Sequence, residues 1–470
     1  MQMSEKQRRL MIAAPSSGSG KTTLVCGLLK VFKDMGLDPA AYKCGPDYID
    51  PMFHREILGI DSGNLDSYLM SETRIKKSVL QAGSHPALIE GVMGIYDGTD
   101  VSDPAGSSYE IAVITKTPIV LCVDGRGTGR TMISVIKGIL KDDTAHLIKG
   151  IMLNRVSASF FEKLAPVMNV ELAEAGYGDV RLLGFIPKSD DIVIDSRHLG
   201  LTLPDEIKDI SDRVSKAADL IRGNVKTDGI LEIMDECGEI MISTEEPIPS
   251  ISLKTPYPVL AVARDEAFCF YYRDNIELME KMGVTVKFFS PIHGERIPED
   301  AAGLLLGGGY PELYLEELAG NGSMLESIAG AIGDGMPSLA ECGGFMYLHK
   351  YISDKSWKKY RLADIIDGEC TYTGHLVRFG YMTVKEVKAD SNTGFMRELT
   401  GMRGHEFHYY DSSANGDSCV LSKPDGKTEW NGMMVQGASL WGFPHLYYGS
   451  APGFAKAFAD AMRGYERTYR

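Results

Sequence analysis

The eight cysteines of this 470-residue chain never fall as C-x-x-C, and no histidine cluster accompanies them. That spacing excludes the usual zinc patterns and offers no disulfide framework, so a reducing, cytoplasmic setting is expected. Long apolar runs are missing too: none approaches the roughly 20 residues of a membrane-spanning helix. The opening stretch Met1–Arg9 is polar, so no secretory leader is expected there. Basic residues are in short supply, 49 Lys and Arg against 64 Asp and Glu, for a net charge of −15. Such a balance disfavours broad contact with nucleic acid or anionic membranes, while a few local lysines can still serve a polyanionic small molecule. Internal repeats and low-complexity tracts are absent from the sequence.

What is present is an ordinary globular composition, 44% hydrophobic and 24% charged, long enough for two cores. The first half alternates short apolar runs with amphipathic stretches. Strands are predicted at Leu10–Ala14, Ala40–Lys43, Ala87–Glu90, Ile119–Val123, Gly150–Leu153 and Leu182–Ile186, with helices over Lys21–Met35 and Thr131–Leu140. That order predicts an α/β fold with a parallel sheet covered on both faces by helices. The pattern weakens near 227–258, where the polar, proline-broken Thr244–Ser250 reads as a linker. A second α/β series then starts at Val259–Ala263, continues at Val284–Phe289 and Gly303–Leu306, and turns β-rich over 369–436. The expected division is 1–225, a linker region 226–257, and 258–470.

In the second half, Gly307-Gly308-Gly309-Tyr310-Pro311-Glu312 closes one apolar run, and Glu341-Cys342-Gly343-Gly344 closes another. A lone thiol at a strand-to-helix turn is exposed and sits at the positive end of a helix dipole, which favours thiolate. Glycines beside it let a carbonyl approach and leave backbone N–H groups to hold an oxyanion. Cys342 is therefore the expected nucleophile, with Gly308, Gly309 and Gly343 as the expected oxyanion donors.

In the first half, Ala14-Pro15-Ser16-Ser17-Gly18-Ser19-Gly20-Lys21-Thr22-Thr23 follows the first strand and opens a helix. That is the setting of a P-loop, whose backbone N–H groups cradle phosphates. Ser17 to Thr23 would line the nucleotide, with Lys21 on its β- and γ-phosphates and the Thr22 hydroxyl on Mg²⁺. Pro15 stands where the usual pattern has its first glycine. Carboxylates for the metal are expected at the carboxyl ends of neighbouring strands. Glu90 qualifies, and Asp47, Asp50 and Asp97 lie on loops nearby. With Lys43, these could hold metal, phosphate and a substrate carboxylate. Asn154, at another strand end, reads either as an adenine contact or as a strand-end cap.

A phosphate site and a cysteine nucleophile on one chain imply two coupled reactions: glutamine hydrolysis frees ammonia, and ATP activates a carboxylate for the ammonia to attack. The motifs that carry this resemble one family over nearly the whole chain. They are Ala14-Pro15 through Lys21-Thr22-Thr23, Gly45-Pro46-Asp47-Tyr48-Ile49-Asp50-Pro51, Asn64-Leu65-Asp66, Glu90-Gly91-Val92-Met93-Gly94, Gly307–Tyr314, Glu341-Cys342-Gly343-Gly344 and Gly404-His405-Glu406-Phe407-His408. The chain resembles the cobyrinate a,c-diamide synthases, in the cobalamin-type branch of class I glutamine amidotransferases, and Pro15 is shared by that family. Its first half is also similar to dethiobiotin synthetase.

The resemblance implies a dethiobiotin-synthetase-like ATP-binding domain over 1–225 and a class I amidotransferase-like α/β domain over 258–470. It further implies amidation of two side-chain carboxylates of cobyrinate, or a close corrinoid, by glutamine, ATP and Mg²⁺. Carried over by position, Lys21, Thr22 and Thr23 contact phosphate, and Thr22, Glu90 and Asp47 hold metal. Asp47, Tyr48, Asp50 and Asp97 face substrate, Cys342 is the nucleophile and His445 its base. One position departs from the class: Tyr447 stands where a glutamate, or in this branch a second histidine, usually follows the base. His405 and His408 are the alternative bases. The partners implied are small molecules, with a homodimer left open. Hydrogenobyrinate and nickel-sirohydrochlorin are alternative substrates, although the nickel branch usually lacks Gly45-Pro46. A P-loop partitioning ATPase with a degenerate amidotransferase-like module is the alternative outside this chemistry.

Overall fold

The computed structural model describes residues 3–194, 196–197, 200–201, 209–242, 257–388, 390 and 394–465, which form two compact units, 1–246 and 247–470. The first unit is built on strands β1 (Arg9–Ala13), β2 (Ala40–Cys44), β3 (Ser62–Leu65), β4 (Ala87–Glu90), β5 (Ile119–Asp124), β6 (Ile148–Asn154) and β7 (Arg181–Ile186). They form a seven-stranded sheet in the order β3-β2-β4-β1-β5-β6-β7, parallel throughout. All five residues of β1 and all four of β4 are buried, so side chains pointing to either face are covered. A parallel sheet with helices over both faces requires that pattern.

Helices of this unit include α1 (Lys21–Asp34), α2 (Ile49–Met52), α3 (Thr131–Asp142), α4 (Ile210–Asn224) and α5 (Thr227–Asp235). Close packing joins α1 to α4: a Cβ on Gly27 would come within 2.6 Å of Ile221 Cδ1. Two elements differ from the sequence expectation. Strand β3, short and glycine-containing, forms an edge next to β2. The first part of the expected linker 226–257 is instead ordered as α5 and as Ile240–Ile242, which pairs antiparallel with Met3–Glu5. Its buried Ile230, Ile233 and Met234 follow helical spacing and bury one face, and that burial holds the segment on the first unit. The proline-broken stretch Thr244–Ser250 lies outside the described residues.

The second unit contains β8 (Val259–Ala263), β9 (Thr285–Phe289), β10 (Ala301–Leu306), β11 (Ser338–Glu341), β12 (Arg378–Val387), β13 (Arg403–His408), β14 (Cys419–Ser422), β15 (Glu429–Gly432), β16 (Met434–Gln436), β17 (Ser439–Gly442) and β18 (His445–Tyr447). Its main sheet runs β9-β8-β10-β11-β17-β16, parallel except at the β17–β16 edge. An antiparallel sheet runs β15-β14-β12-β13-β18. The short helix α6 (Gly343–Tyr347) leaves β11 directly through Cys342. No described helix is long and apolar enough to cross a membrane, and all eight cysteines are unpaired.

Candidate active sites

The register of the first sheet gathers its polar residues at one edge. Glu90 is paired with Ile12 on one side and Lys43 on the other, and Asp124 is paired with Asn154. The P-loop leaves β1 between these pairs. Gly20, at the amino end of α1, has φ +88, and a Cβ there would sit 2.3 Å from Asn154 Nδ2. Both the left-handed backbone and the close approach require glycine. Ser17 and Gly18 are exposed on the loop, while Ser19 is buried and donates its hydroxyl to Ser16 O at 2.8 Å. Asn154 donates to Ser19 O at 2.8 Å and accepts from the Arg155 N–H, so its amide braces the loop.

Lys21 Nζ donates to Met93 O at 2.6 Å and Ser16 O at 3.3 Å, which holds the ammonium beneath the loop. Its pKa is lowered by burial and by the second ammonium of Lys43. Thr22 Oγ1 donates to Glu90 Oε1 at 2.6 Å, with Asp50 Oδ2 3.2 Å away. Lys43 Nζ lies 2.8 Å from Glu90 Oε1 and also pairs with Asp50 Oδ2. Burial opposes the Lys43 charge, yet Asp50 and Glu90 outweigh it and raise the pKa. Glu90 is held low because Lys43 and His54 outweigh its burial, whereas burial and Asp47 push Asp50 up.

Three loop carboxylates were expected here, and the structure separates them. Asp50 stands beside Thr22 and Lys43. Asp47 instead accepts the backbone N–H groups of Ile49 and Asp50 at 2.9 and 3.1 Å, capping the turn before α2. Asp97 is exposed and closes its own turn by accepting the Gly94 N–H at 2.8 Å. Tyr48 is buried next to α2, and Asn64 ties the loop down by donating to Gly45 O and Asp47 O.

The sequence reading missed four residues, His54, Asp124, Arg126 and Arg155. His54 lies four residues after Asp50 and faces Glu90: its Nε2 is 3.6 Å from Glu90 Oε2, beyond hydrogen-bond length, and its Nδ1 is 2.9 Å from Ser62 Oγ. Arg155 reaches Gly18 O at 2.9 Å and Asp124 Oδ2 at 2.7 Å, and Arg126 pairs with the same Asp124 oxygen at 2.8 Å. The helical i,i+4 offset from Asp50 was the available signal for His54. Nothing in the spacing of Asp124 and Arg155 pointed to the P-loop.

Thr22 Oγ1, Glu90 and Asp50 present hard oxygens within one cluster, and Glu90 Oε2 is a buried acceptor with no hydrogen-bond partner among the described residues. Among those residues no group of three or more His, Cys, Asp or Glu is arranged to hold a metal. One or two carboxylates and a hydroxyl suit Mg²⁺, which keeps much of its water shell. The residues fit the ion.

In the second unit, Cys342 has φ 47 and ψ −104, a strained conformation for a residue with a Cβ. Its N–H donates to Gly442 O at 2.9 Å, and the Gly344 N–H donates to Gly307 O at 2.9 Å, so the turn is fixed to β17 and to the carboxyl end of β10. The triple glycine is equally constrained: a Cβ on Gly308 would lie 2.3 Å from His445 Cε1, and one on Gly343 would lie 3.2 Å from Gly309 N. The structure therefore brings Gly308, Gly309, Gly343 and His445 around one turn.

The protonation of this group differs from the sequence expectation. Cys342 is buried, and burial together with Glu312 pushes its thiol up. His445 is pushed well down by burial and by His405 and His408. Neutral thiol and neutral imidazole are favoured, because a five-residue helix offers little dipole against full burial. His405 stacks on His445 with centroids 4.9 Å apart, is brought to a pKa of about 3 by burial, and shares a 2.8 Å hydrogen bond with Tyr272 OH. His408 stacks on Phe443 and pairs with Glu406 at 3.2 Å. Tyr447, in the departing position, donates to Asp274 Oδ2 at 2.8 Å.

Comparison with known proteins agrees with both halves. Residues 10–201 match the CobQ/CobB/MinD/ParA nucleotide binding domain, and residues 259–442 match the CobB/CobQ-like glutamine amidotransferase domain. A cobyrinate a,c-diamide synthase of Picrophilus torridus is 36% identical over 96% of this chain and 98% of its own length. One of Listeria monocytogenes is 34% identical over 94% and 96%, and one of Clostridium tetani 34% over 96% and 100%. The chain belongs to the cobyrinate a,c-diamide synthase family of glutamine-dependent amidotransferase ligases.

Proposed function

We propose that the protein amidates the a and c side-chain carboxylates of cobyrinate, using glutamine and ATP, in cobalamin biosynthesis. The observation that carries this reading is the presence on one chain of the Lys21–Thr22–Lys43–Glu90 cluster and of Cys342 on a strained strand-to-helix turn. Each amidation takes two half-reactions. Cys342 Sγ attacks the glutamine amide as His445 takes the thiol proton. The tetrahedral oxyanion is held by N–H groups of the Gly308–Gly309 turn and Gly343, ammonia leaves with a proton returned by His445, and water hydrolyses the thioester to glutamate. Because the pair rests neutral, the proton moves only as glutamine is attacked.

In the first unit, the substrate carboxylate takes the γ-phosphoryl group to give an acyl phosphate and ADP, and ammonia displaces phosphate to leave the amide. Lys21 neutralises charge on the transferring phosphoryl group, and Lys43 keeps Glu90 ionised for the metal and orients both Glu90 and Asp50. Mg²⁺, held by Thr22, Glu90 and Asp50, would supply charge neutralisation on the phosphates. Asp47 supports this set by capping the loop that carries Asp50, and Tyr48 and Asp97 remain candidate substrate contacts. Corrinoid, glutamine and ATP are the partners in this reading, without nucleic acid or membrane, and the reducing cytoplasm suits eight free thiols. A homodimer is checked by sedimentation.

The test is Cys342→Ala with glutamine or ammonium as nitrogen source, the product read by mass spectrometry on cobyrinate, hydrogenobyrinate and nickel-sirohydrochlorin. Loss with glutamine and retention with ammonium is expected, on cobyrinate. ATP hydrolysis without any glutamine consumption would support a partitioning-type ATPase instead.

A further inference from the structure

We propose that Glu341 and Asn275 form a buried clamp that positions His445 through the backbone that follows it. The inference rests on the assignment of Cys342 and His445 as the glutaminase pair. Glu341 is the last residue of β11, directly before the nucleophile, and is buried. Its carboxyl group accepts the N–H of Leu446 and, at 3.2 Å, the hydroxyl of Tyr448. Asn275, also buried, takes the complementary positions: Nδ2 donates to Leu446 O at 2.7 Å, and Oδ1 accepts the Tyr448 N–H at 2.8 Å. The residue after His445 is thus held at both its N–H and its C=O, and Tyr448 at its N–H and its side chain. On the other edge β18 pairs with β13, placing His405 opposite His445.

This arrangement does by backbone fixation what a carboxylate two residues beyond the base does elsewhere by direct contact. Position 447 holds a tyrosine whose hydroxyl goes to Asp274, so the orienting carboxyl group enters from β11 of the main sheet, one residue before the thiol. Burial pushes Glu341 up to about 8, so near neutral pH it is largely the neutral acid. A neutral carboxyl accepts from Leu446 through its carbonyl oxygen and shares its hydroxyl with Tyr448. A glutamine side chain keeps the first contact, its amide oxygen accepting from Leu446, and keeps the second once the Tyr448 hydroxyl turns to accept from the amide nitrogen.

The experiment measures glutaminase kcat and KM, and ammonium-dependent amidation, for Glu341→Ala, Glu341→Gln, Asn275→Ala and Asn275→Asp in the full chain, beside Cys342→Ala. Displacing a catalytic base by about 1 Å costs on the order of 100-fold. Glu341→Ala and Asn275→Ala should therefore lower glutaminase kcat by about 10- to 100-fold while KM moves by less than about threefold. Glu341→Gln should stay within about threefold of the parent on both. Asn275→Asp, which keeps the shape but loses the donor to Leu446, should repeat the loss of Asn275→Ala even where the truncated variants fail to fold. Ammonium-dependent amidation should be unchanged throughout. The proposal is overturned by an unchanged kcat in Asn275→Asp, by Glu341→Gln falling with Glu341→Ala, or by an equal loss with ammonium. Full glutaminase activity in Cys342→Ala overturns the nucleophile assignment and the clamp with it, whereas inactive Cys342→Ala beside normal clamp variants overturns the clamp alone.

Discussion

Lys43→Met removes the ammonium that pairs with both Glu90 and Asp50. The three side chains are 5%, 0% and 6% exposed, so water cannot replace it. Breaking a buried pair by deleting one partner costs about 3–5 kcal/mol, a fifth or more of the roughly 5–15 kcal/mol that stabilises a typical domain. The pH dependence carries a sign. In the parent, the Glu90 pKa is depressed, so its contribution is present above the unfolded value of about 4.3 and is lost as pH falls through the lower folded value. Without Lys43, His54 is left to oppose burial at Glu90, burial acts more strongly on Asp50, and both pKa values rise. Each carboxylate then opposes folding above about pH 4, and the deficit shrinks as pH is lowered and the groups protonate. Urea unfolding at pH 8, 6.5 and 5, followed by circular dichroism, should show Lys43→Met destabilised by about 3–5 kcal/mol at pH 8 and by clearly less at pH 5. All three tryptophans, Trp357, Trp430 and Trp441, belong to the second unit, so their fluorescence provides an internal control that should not shift. A deficit below about 1 kcal/mol, or one that does not change with pH, would refute the argument.

Lys21→Ala should cut amidation by orders of magnitude with glutamine and with ammonium alike, while glutaminase activity measured alone stays near normal. His445→Asn should lower glutaminase turnover by roughly 10²–10⁴-fold and spare ammonium-dependent synthesis; full activity would point to His405 or His408. Gly20→Ala introduces a Cβ 2.3 Å from Asn154 Nδ2 at φ +88, so nucleotide affinity by calorimetry should fall at least tenfold, and an unchanged affinity would show that the loop yields freely. Glutaminase rate should stay flat around neutral pH, where the Cys342 thiol and His445 are both neutral, and a rise with its midpoint below the ordinary thiol value would refute the neutral resting pair.

The sheet was legible because its strands are continuous apolar runs, the pattern that burial on both faces demands. Ala87–Glu90 was read to the residue, and Lys43 and Glu90 fell at strand ends because register in a parallel sheet aligns those ends. The P-loop was equally legible, since its glycine spacing is dictated by backbone geometry that the sequence states directly. Strand β3 was not: Ser62-Gly63-Asn64-Leu65 has one large apolar residue, and its place comes from pairing with β2. Helix α5 was overlooked for a related reason, as its three apolar anchors sit among Thr227, Asp228 and Gly229.

The roles of the carboxylates required more than spacing. Asp47 and Asp50 lie on one loop with similar neighbours, and the sequence reading gave the metal to the first. The difference is made by the turn before α2, where a side chain three residues ahead of a helical N–H is captured as a cap, which takes Asp47 and leaves Asp50 to Thr22 and Lys43. The thiolate expectation failed on magnitude. A helix terminus contributes about 0.3–1 kcal/mol near the surface, whereas complete desolvation moves a pKa by up to 3–5 units, and each unit is 1.36 kcal/mol. Whether a cysteine at such a turn is poised or silent therefore depends on its burial, which the triple glycine, α6 and β18 set together, and no local motif encodes it.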